Sequence, residues 1–306
     1  MKRIVSALLL VVAALQAAAQ PAPPASQKAI LVTGASTGIG RKITERLAAD
    51  GYFVYAGARK EADLKALGEI KNVQAIRLDV TKPEEIDAAV ATVTQGGRGL
   101  YGLINNAGIA AVGSLADTRL EEFDLVMAVN VAGPYRMSKA FLPLILAQKG
   151  RIVTIGSISG ILASPDLGPY SMSKHAMEAF TDSLATQLKS TGVQVIIVEP
   201  GNYDSQIGAN AAKREGTDNS RADRSKYKEP DEVAAAVAQA LAEVSPKRRY
   251  MVVPNQQEAE VTIRKQIEQL VQLNEGQPYA YDRDELTRML DAALATSRPK
   301  TKAVTN

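Results

Sequence analysis

From residue 28 onward, short apolar runs alternate with longer stretches whose apolar positions return every three or four residues. The short runs, at 29–32, 52–58, 73–78, 100–104, 151–155 and 193–198, have the length and β-branched content of buried strands. Between them, 38–49, 61–67, 83–93, 120–146 and 170–189 carry a helical period. Strands alternating in this way with helices predict right-handed βαβ units and an α/β, doubly wound parallel sheet of the Rossmann type with helices on both faces. A further helix at 233–244 and a last strand at 250–253 complete a single domain over 28–254. The polar stretch 202–229 is too long for an ordinary connection and reads as a lid over a site. Amphipathic patterns at 258–273 and 285–294 predict a helical extension over 255–296, and residues 297–306 read as a disordered tail.

The N-terminus breaks this pattern. Lys2-Arg3, an apolar run from Ile4 to Leu15 and the small residues Ala17-Ala18-Ala19 read as a signal peptide or membrane-targeting segment over 1–19. A Pro/Ala linker over 20–27 follows. The expected location is extracytoplasmic, periplasmic or secreted, with a cytoplasmic or membrane-associated protein as the alternative. The 306 residues hold no cysteine, which excludes disulfides and thiol nucleophiles, and one histidine argues against a histidine-based metal site. Net charge is +3, with no basic run interleaved with aromatics, so nucleic acid is not an expected partner.

Candidate chemistry gathers at two places. Tyr170 and Lys174 are four apart on a predicted helix and share a face. A phenol ordinarily titrates near pH ~10, and a cation roughly 5 Å away favours the phenolate by about two pKa units. Ser157, just past a strand, can present its hydroxyl to the same oxygen. The second place is Gly34-x-x-x-Gly38-x-Gly40, where a strand hands over to a helix and a pyrophosphate can meet free N–H groups. Its spacing is neither G-x-G-x-x-G nor a P-loop.

With Asn105-Asn106-Ala107-Gly108, Asn130, Ser157, Tyr170, Lys174 and Pro200-Gly201 in this order, residues 28–253 resemble the short-chain dehydrogenase/reductase family. Leu78-Asp79-Val80-Thr81 and Val198-Glu199-Pro200-Gly201-Asn202-Tyr203 are most similar to its retinol and 17β-hydroxysteroid dehydrogenase branch. The resemblance implies an oxidoreductase that interconverts an alcohol and a ketone or aldehyde, with a lipophilic, steroid- or retinoid-like substrate. It implies Tyr170 as acid/base, Ser157 on the substrate oxygen, Lys174 on the tyrosine and the ribose, and Asn130 on a relay water. Gly34, Ser36, Thr37, Gly38, Ile39 and Gly40 would cradle the phosphates. Asp79, Val80, Asn106, Ala107 and Gly108 would line the adenosine side, with Pro200, Gly201 and Ser205 near the nicotinamide. A homodimer or homotetramer on helices 120–146 and 170–189 is also implied.

Where an acidic residue would bind an adenosine ribose, this chain has Ala58 followed by Arg59, which favours NADP, with NAD possible. Asp204, ahead of Ser205, is an unexpected carboxylate near the cofactor. His175 points about 140° away from Tyr170 around a helix and reads as a packing or surface residue. Gly156-Ser157-Ile158-Ser159-Gly160 has no serine centred between its glycines, so the nucleophile elbow of a serine hydrolase is absent. The competing hypothesis is a non-enzymatic dinucleotide-binding scaffold acting through protein contacts. The intact Ser157, Tyr170 and Lys174 set argues against it.

Overall fold

The computed structural model describes residues 27–216 and 227–297. The expected export segment, the linker up to 26, part of the expected lid (217–226) and the tail from 298 lie outside the described residues. Seven parallel strands form one sheet: β1 (Ala29–Val32), β2 (Phe53–Ala58), β3 (Val73–Arg77), β4 (Gly102–Asn105), β5 (Arg151–Ile155), β6 (Gln194–Pro200) and β7 (Arg249–Val252). Their spatial order is 3-2-1-4-5-6-7, so the chain reverses direction across the sheet between β1 and β4. Ligands in such sheets bind at that switch point, beyond the carboxyl ends of the strands.

The inner strands read as largely apolar runs because both faces are covered, whereas the edge strand β3 exposes Gln74 and Arg77. Ile30 and Val32 of β1 pack into one core with Ile43, Leu47, Val233, Val237 and Leu241. Ala29 and Leu31 pack into the other core with Ile86, Val93, Met137, Phe141 and Ile145. The first layer thus holds α1 (Gly38–Ala49) and α8 (Asp231–Ala242), with Leu67 of α2 (Glu61–Gly68). The second holds α3 (Pro83–Gln95), α5 (Ala132–Ala147) and the end of α6 (Gly168–Gln187). After β7, α9 (Gln256–Asn274) and α10 (Arg283–Ser297) leave most of their surface exposed, with Thr262 buried on α9.

Two elements differ from the sequence expectation. The single helix expected over 120–146 is two, α4 (Leu120–Asn130) and α5, joined at Val131. Pro134 has no N–H to donate to the Asn130 carbonyl, and its ring crowds that turn. The expected lid contains a helix, α7 (Ile207–Glu215), ended by Gly216 at φ 66°.

Candidate active site

The turn after β1 is shaped for close backbone approach. Gly34 and Gly38 take φ of 65° and 54°, which side chains beyond glycine rarely adopt. A Cβ on Gly40 would collide with the Gly34 carbonyl and the Asn106 amide. Ala35 N–H bonds Gly57 O at 2.9 Å and ties the turn to β2. Thr37 is the N-cap of α1, yet its side chain caps nothing, so the first N–H groups of that helix are left for an anion. Ser36, Thr37 and Ile39 line this turn between the glycines. These features fit the pyrophosphate of a dinucleotide.

The Asn-Asn-Ala-Gly run, at the end of β4, is clasped to the same turn. Asn106 Nδ2 donates to Thr33 O at 2.9 Å and Gly34 O at 3.0 Å. Thr33 Oγ1 accepts from the N–H groups of Asn106 and Ala107, both at 3.0 Å. Thr33 is buried and was not singled out from the sequence, although it immediately precedes Gly34. A Cβ on Gly108 would lie 3.5 Å from Asn130 Oδ1 and 4.0 Å from Lys174 Nζ. The run therefore reaches from the glycine turn to Asn130 and Lys174.

Asn130 is buried, and both protons of its amide are used. Its Nδ2 donates to Ile109 O at 2.8 Å and Ser173 Oγ at 2.9 Å, and its Oδ1 accepts from Ile109 N at 2.9 Å. The side chain has no donor left for a water, while its backbone carbonyl faces Pro134 four residues on, which has no proton to give.

Ser157 follows β5 and caps a short 3₁₀ turn (Ile158–Gly160), its Oγ accepting from Ser159 N at 3.1 Å. That turn packs on α6: a Cβ on Gly160 would come within 3.2 Å of the Lys174 carbonyl. Pro169 in the first turn of α6 starts the helix just before Tyr170. Lys174 is 7 % exposed and donates from Nζ to Ile155 O at 2.8 Å. The ammonium sits 5.5 Å from the Tyr170 ring centroid. Burial lowers the Lys174 pKa from 10.5 to about 8, against the opposing charge of Glu178. His175 turns back to its own helix, with Nδ1 2.9 Å from Ser171 O.

At the end of β2, Ala58 is followed by the exposed Arg59, which puts Nη1 3.8 Å from Asp79 Oδ2. Asp79 Oδ1 accepts from the N–H and Oγ1 of Thr81 at 2.9 and 2.7 Å. Burial alone would raise the Asp79 pKa, but the Thr81 hydrogen bonds and Arg59 outweigh it and the net shift is downward. Val80 is buried, against the position where a Gly133 side chain would stand.

After β6, Pro200-Gly201 leads to Ser205, which stands against Gly38: a Cβ there would be 3.5 Å from Ser205 Cβ. Asp204 is held by its N–H, which donates to Lys228 O at 2.8 Å. Glu258 of α9 reaches this turn and accepts from Asn202 N at 2.8 Å. Glu258 was not expected at the site, although Asn255-x-x-Glu258 is a legible capping box. Arg214 of α7 crosses to α4, donating to Ala110 O at 2.5 Å and reaching Glu122 Oε2 at 3.4 Å. The neighbouring rim is apolar: Val112 and Leu115 are exposed, and Gly113 bridges Leu167, just ahead of Tyr170. A separate groove of about 540 Å³ lies between α4, α5 and α6, lined by Met127, Val131, Tyr135 and Phe180, with neither Tyr170 nor Lys174 in its wall.

Residues 28–216 match the model of a family described as short chain dehydrogenase. The chain is 39 % identical over 195 residues to the mitochondrial D-beta-hydroxybutyrate dehydrogenase of Mus musculus, covering 60 % of this chain and 57 % of that protein. It therefore spans less than two thirds of that relative. A short-chain dehydrogenase from Streptomyces avermitilis superposes with a TM-score of 0.69 at 29 % identity, over 89 % of this chain and 99 % of that one. Actinorhodin polyketide ketoreductase with NADPH superposes with a TM-score of 0.68 at 30 % identity, over 75 % and 97 %.

Proposed function

The chain belongs to the short chain dehydrogenase family, and on that premise we propose that it interconverts an alcohol and a ketone or aldehyde with NADP(H). The observation that carries this reading is the buried Lys174 ammonium, fixed by Ile155 O and held 5.5 Å from the Tyr170 ring. With a pKa of about 8, Lys174 keeps its proton in about nine of ten molecules at pH 7. That charge favours the Tyr170 phenolate and makes the phenol a working acid and base near neutral pH.

In this reading Tyr170 gives its proton to the carbonyl oxygen, or takes it from the alcohol, and Ser157 hydrogen-bonds the same oxygen. Thr33, Asn106 and the glycine turn hold the dinucleotide by backbone groups. Bound there, a nicotinamide supplies or accepts the hydride. Asn130 fixes the 109 segment through its side chain and offers its backbone carbonyl to a relay water.

NADP is favoured over NAD because no carboxylate ends β2, while Arg59 stands exposed next to it. A lipophilic substrate is favoured by the exposed Val112 and Leu115 at the rim ahead of Tyr170. A screen of NADPH oxidation over ketones, aldehydes, steroids and retinoids tests the proposal. Turnover should appear with at least one apolar carbonyl and fall by about a thousandfold in Tyr170→Phe. Turnover that survives in Tyr170→Phe would overturn the assignment.

A further inference from the structure

Behind Lys174, two carboxyl groups converge on one arginine. Glu178 lies one turn further along α6, and Glu199 is the second-to-last residue of β6. Arg249 of β7 places its Nε 3.0 Å from Glu178 Oε2 and 3.6 Å from Glu199 Oε1. Its Nη2 turns instead to Asp182, at 2.8 Å. Glu199 is 3 % exposed, and the Glu178 side chain 16 %. Oε1 of each glutamate is shielded from solvent and receives no hydrogen bond from a protein donor. One N–H thus faces two carboxyl groups. Ionised together, they would repel each other and leave two buried oxygens unsatisfied; a single proton between them relieves both faults.

The pair is also placed to act on the acid/base helix. Glu178 is four residues from Lys174, so the two side chains are neighbours on one helix face. A Cβ on Gly160 would meet Glu178 Oε1 at 3.0 Å, which sets the Ser157-bearing turn against the same carboxyl. The charged groups around the pair are Lys174 and Asp182 on α6 and Arg249 on β7, with Arg248 beside Asp182. The 3₁₀ turn brings none.

We propose that Glu178 and Glu199 share one proton, and that the negative charge left on Glu178 is the counter-ion that keeps Lys174 protonated beside Tyr170. Both are positioning residues, and the inference rests on Tyr170 and Lys174 being the acid/base pair. Burial raises both carboxyl groups, but Arg249 Nε bonds Glu178 at 3.0 Å and stands 3.6 Å from Glu199, so Glu199 is the partner that holds the proton and donates it to Glu178. Glu178 is the anion that raises the Lys174 pKa against the effect of burial.

The two glutamates should then respond differently to the same substitution. Glu199→Gln keeps a donor toward Glu178 and leaves the charge next to Lys174, so the alkaline limb of the kcat/KM profile should stay in place. Glu178→Gln removes that charge; any ionisation of Glu199 in its place lies farther from Lys174. The alkaline limb should move down by about one pH unit. A titration of ¹³C-labelled lysine by NMR should show the same shift for Lys174 in the resting protein, without substrate. In the infrared, wild type near neutral pH should show a protonated carboxyl band that Glu199→Gln lacks. Superimposable profiles and Lys174 titrations for the two variants, or no protonated carboxyl band in wild type, would overturn the proposal. A chain that reduces no carbonyl would sink the enzymatic reading instead, while the NMR and infrared experiments would still decide on the pair. If Glu178→Gln does not fold, the infrared comparison of wild type with Glu199→Gln still decides.

Discussion

The two sides of the crevice between β1 and β4 are made of different materials. On the nucleotide side, contact surfaces are backbone: positive-φ glycines, the open N-terminus of α1, and a turn clasped by Thr33 and Asn106. On the proposed catalytic side they are polar side chains: the buried Ser157, Lys174, Asn130 and Glu199, with the half-buried Glu178. A backbone site does not titrate but leaves no room for an added methyl. A side-chain site accepts small repacking but inherits the pH dependence of every charge it buries.

The sharpest way to break this contrast is a single methyl group on the nucleotide side. In Gly40→Ala the new Cβ overlaps the Gly34 carbonyl and the Asn106 amide, and the clasp must open. Affinity for NADPH, measured by calorimetry, should fall by about a hundredfold or more, with no change in its pH dependence. Wild-type affinity in this variant would show that the turn is not the phosphate site.

The next largest effect belongs to the catalytic side and is read in stability. Lys174 has a folded pKa of about 8 against 10.5 when unfolded. Between those values the unfolded chain binds more protons, so this group's contribution to stability rises with pH. Relative to Lys174→Met, wild type should recover roughly 3 kcal/mol of unfolding free energy across that window. Turnover should decline over the same range, because the neutral amine no longer favours the phenolate. Urea denaturation of both proteins at several alkaline pH values measures the difference. Parallel lines would mean that Lys174 is not charged and buried at neutral pH.

The smallest expected effect is at Arg59, the exposed cation proposed for the nucleotide side. Arg59→Ala should raise the KM for NADPH by about tenfold and leave NADH almost unchanged. Equal losses for the two cofactors would remove the argument for NADP.

Much of this division was legible in the chain. The inner strands of the sheet are legible because a strand buried on both faces writes a largely apolar run, while the edge strands β3 and β7 keep only a partial one. Tyr170 and Lys174 were paired correctly in space because helix geometry alone brings residues four apart together. What escaped detection depended on contacts between distant segments. Glu178 and Glu199 read as ordinary charges until β6, α6 and β7 bring them to one guanidinium. Arg214 and Glu122, 92 residues apart, give no local sign of their pairing. The break at Val131 is a different case. Pro134 was there to be read, but the apolar period ran through it and outweighed its missing N–H.

Glu258 belongs to two structures at once. It closes the first turn of α9 with Asn255, and it holds the Asn202 amide next to Gly201. A chain cut after Pro254 would lose more than an appendage: the bend that follows β6 would be unhooked at one end. Such a trimmed protein should keep its sheet yet grip the nicotinamide end of its cofactor less firmly, so α9 would work as a tether for that bend as well as a surface.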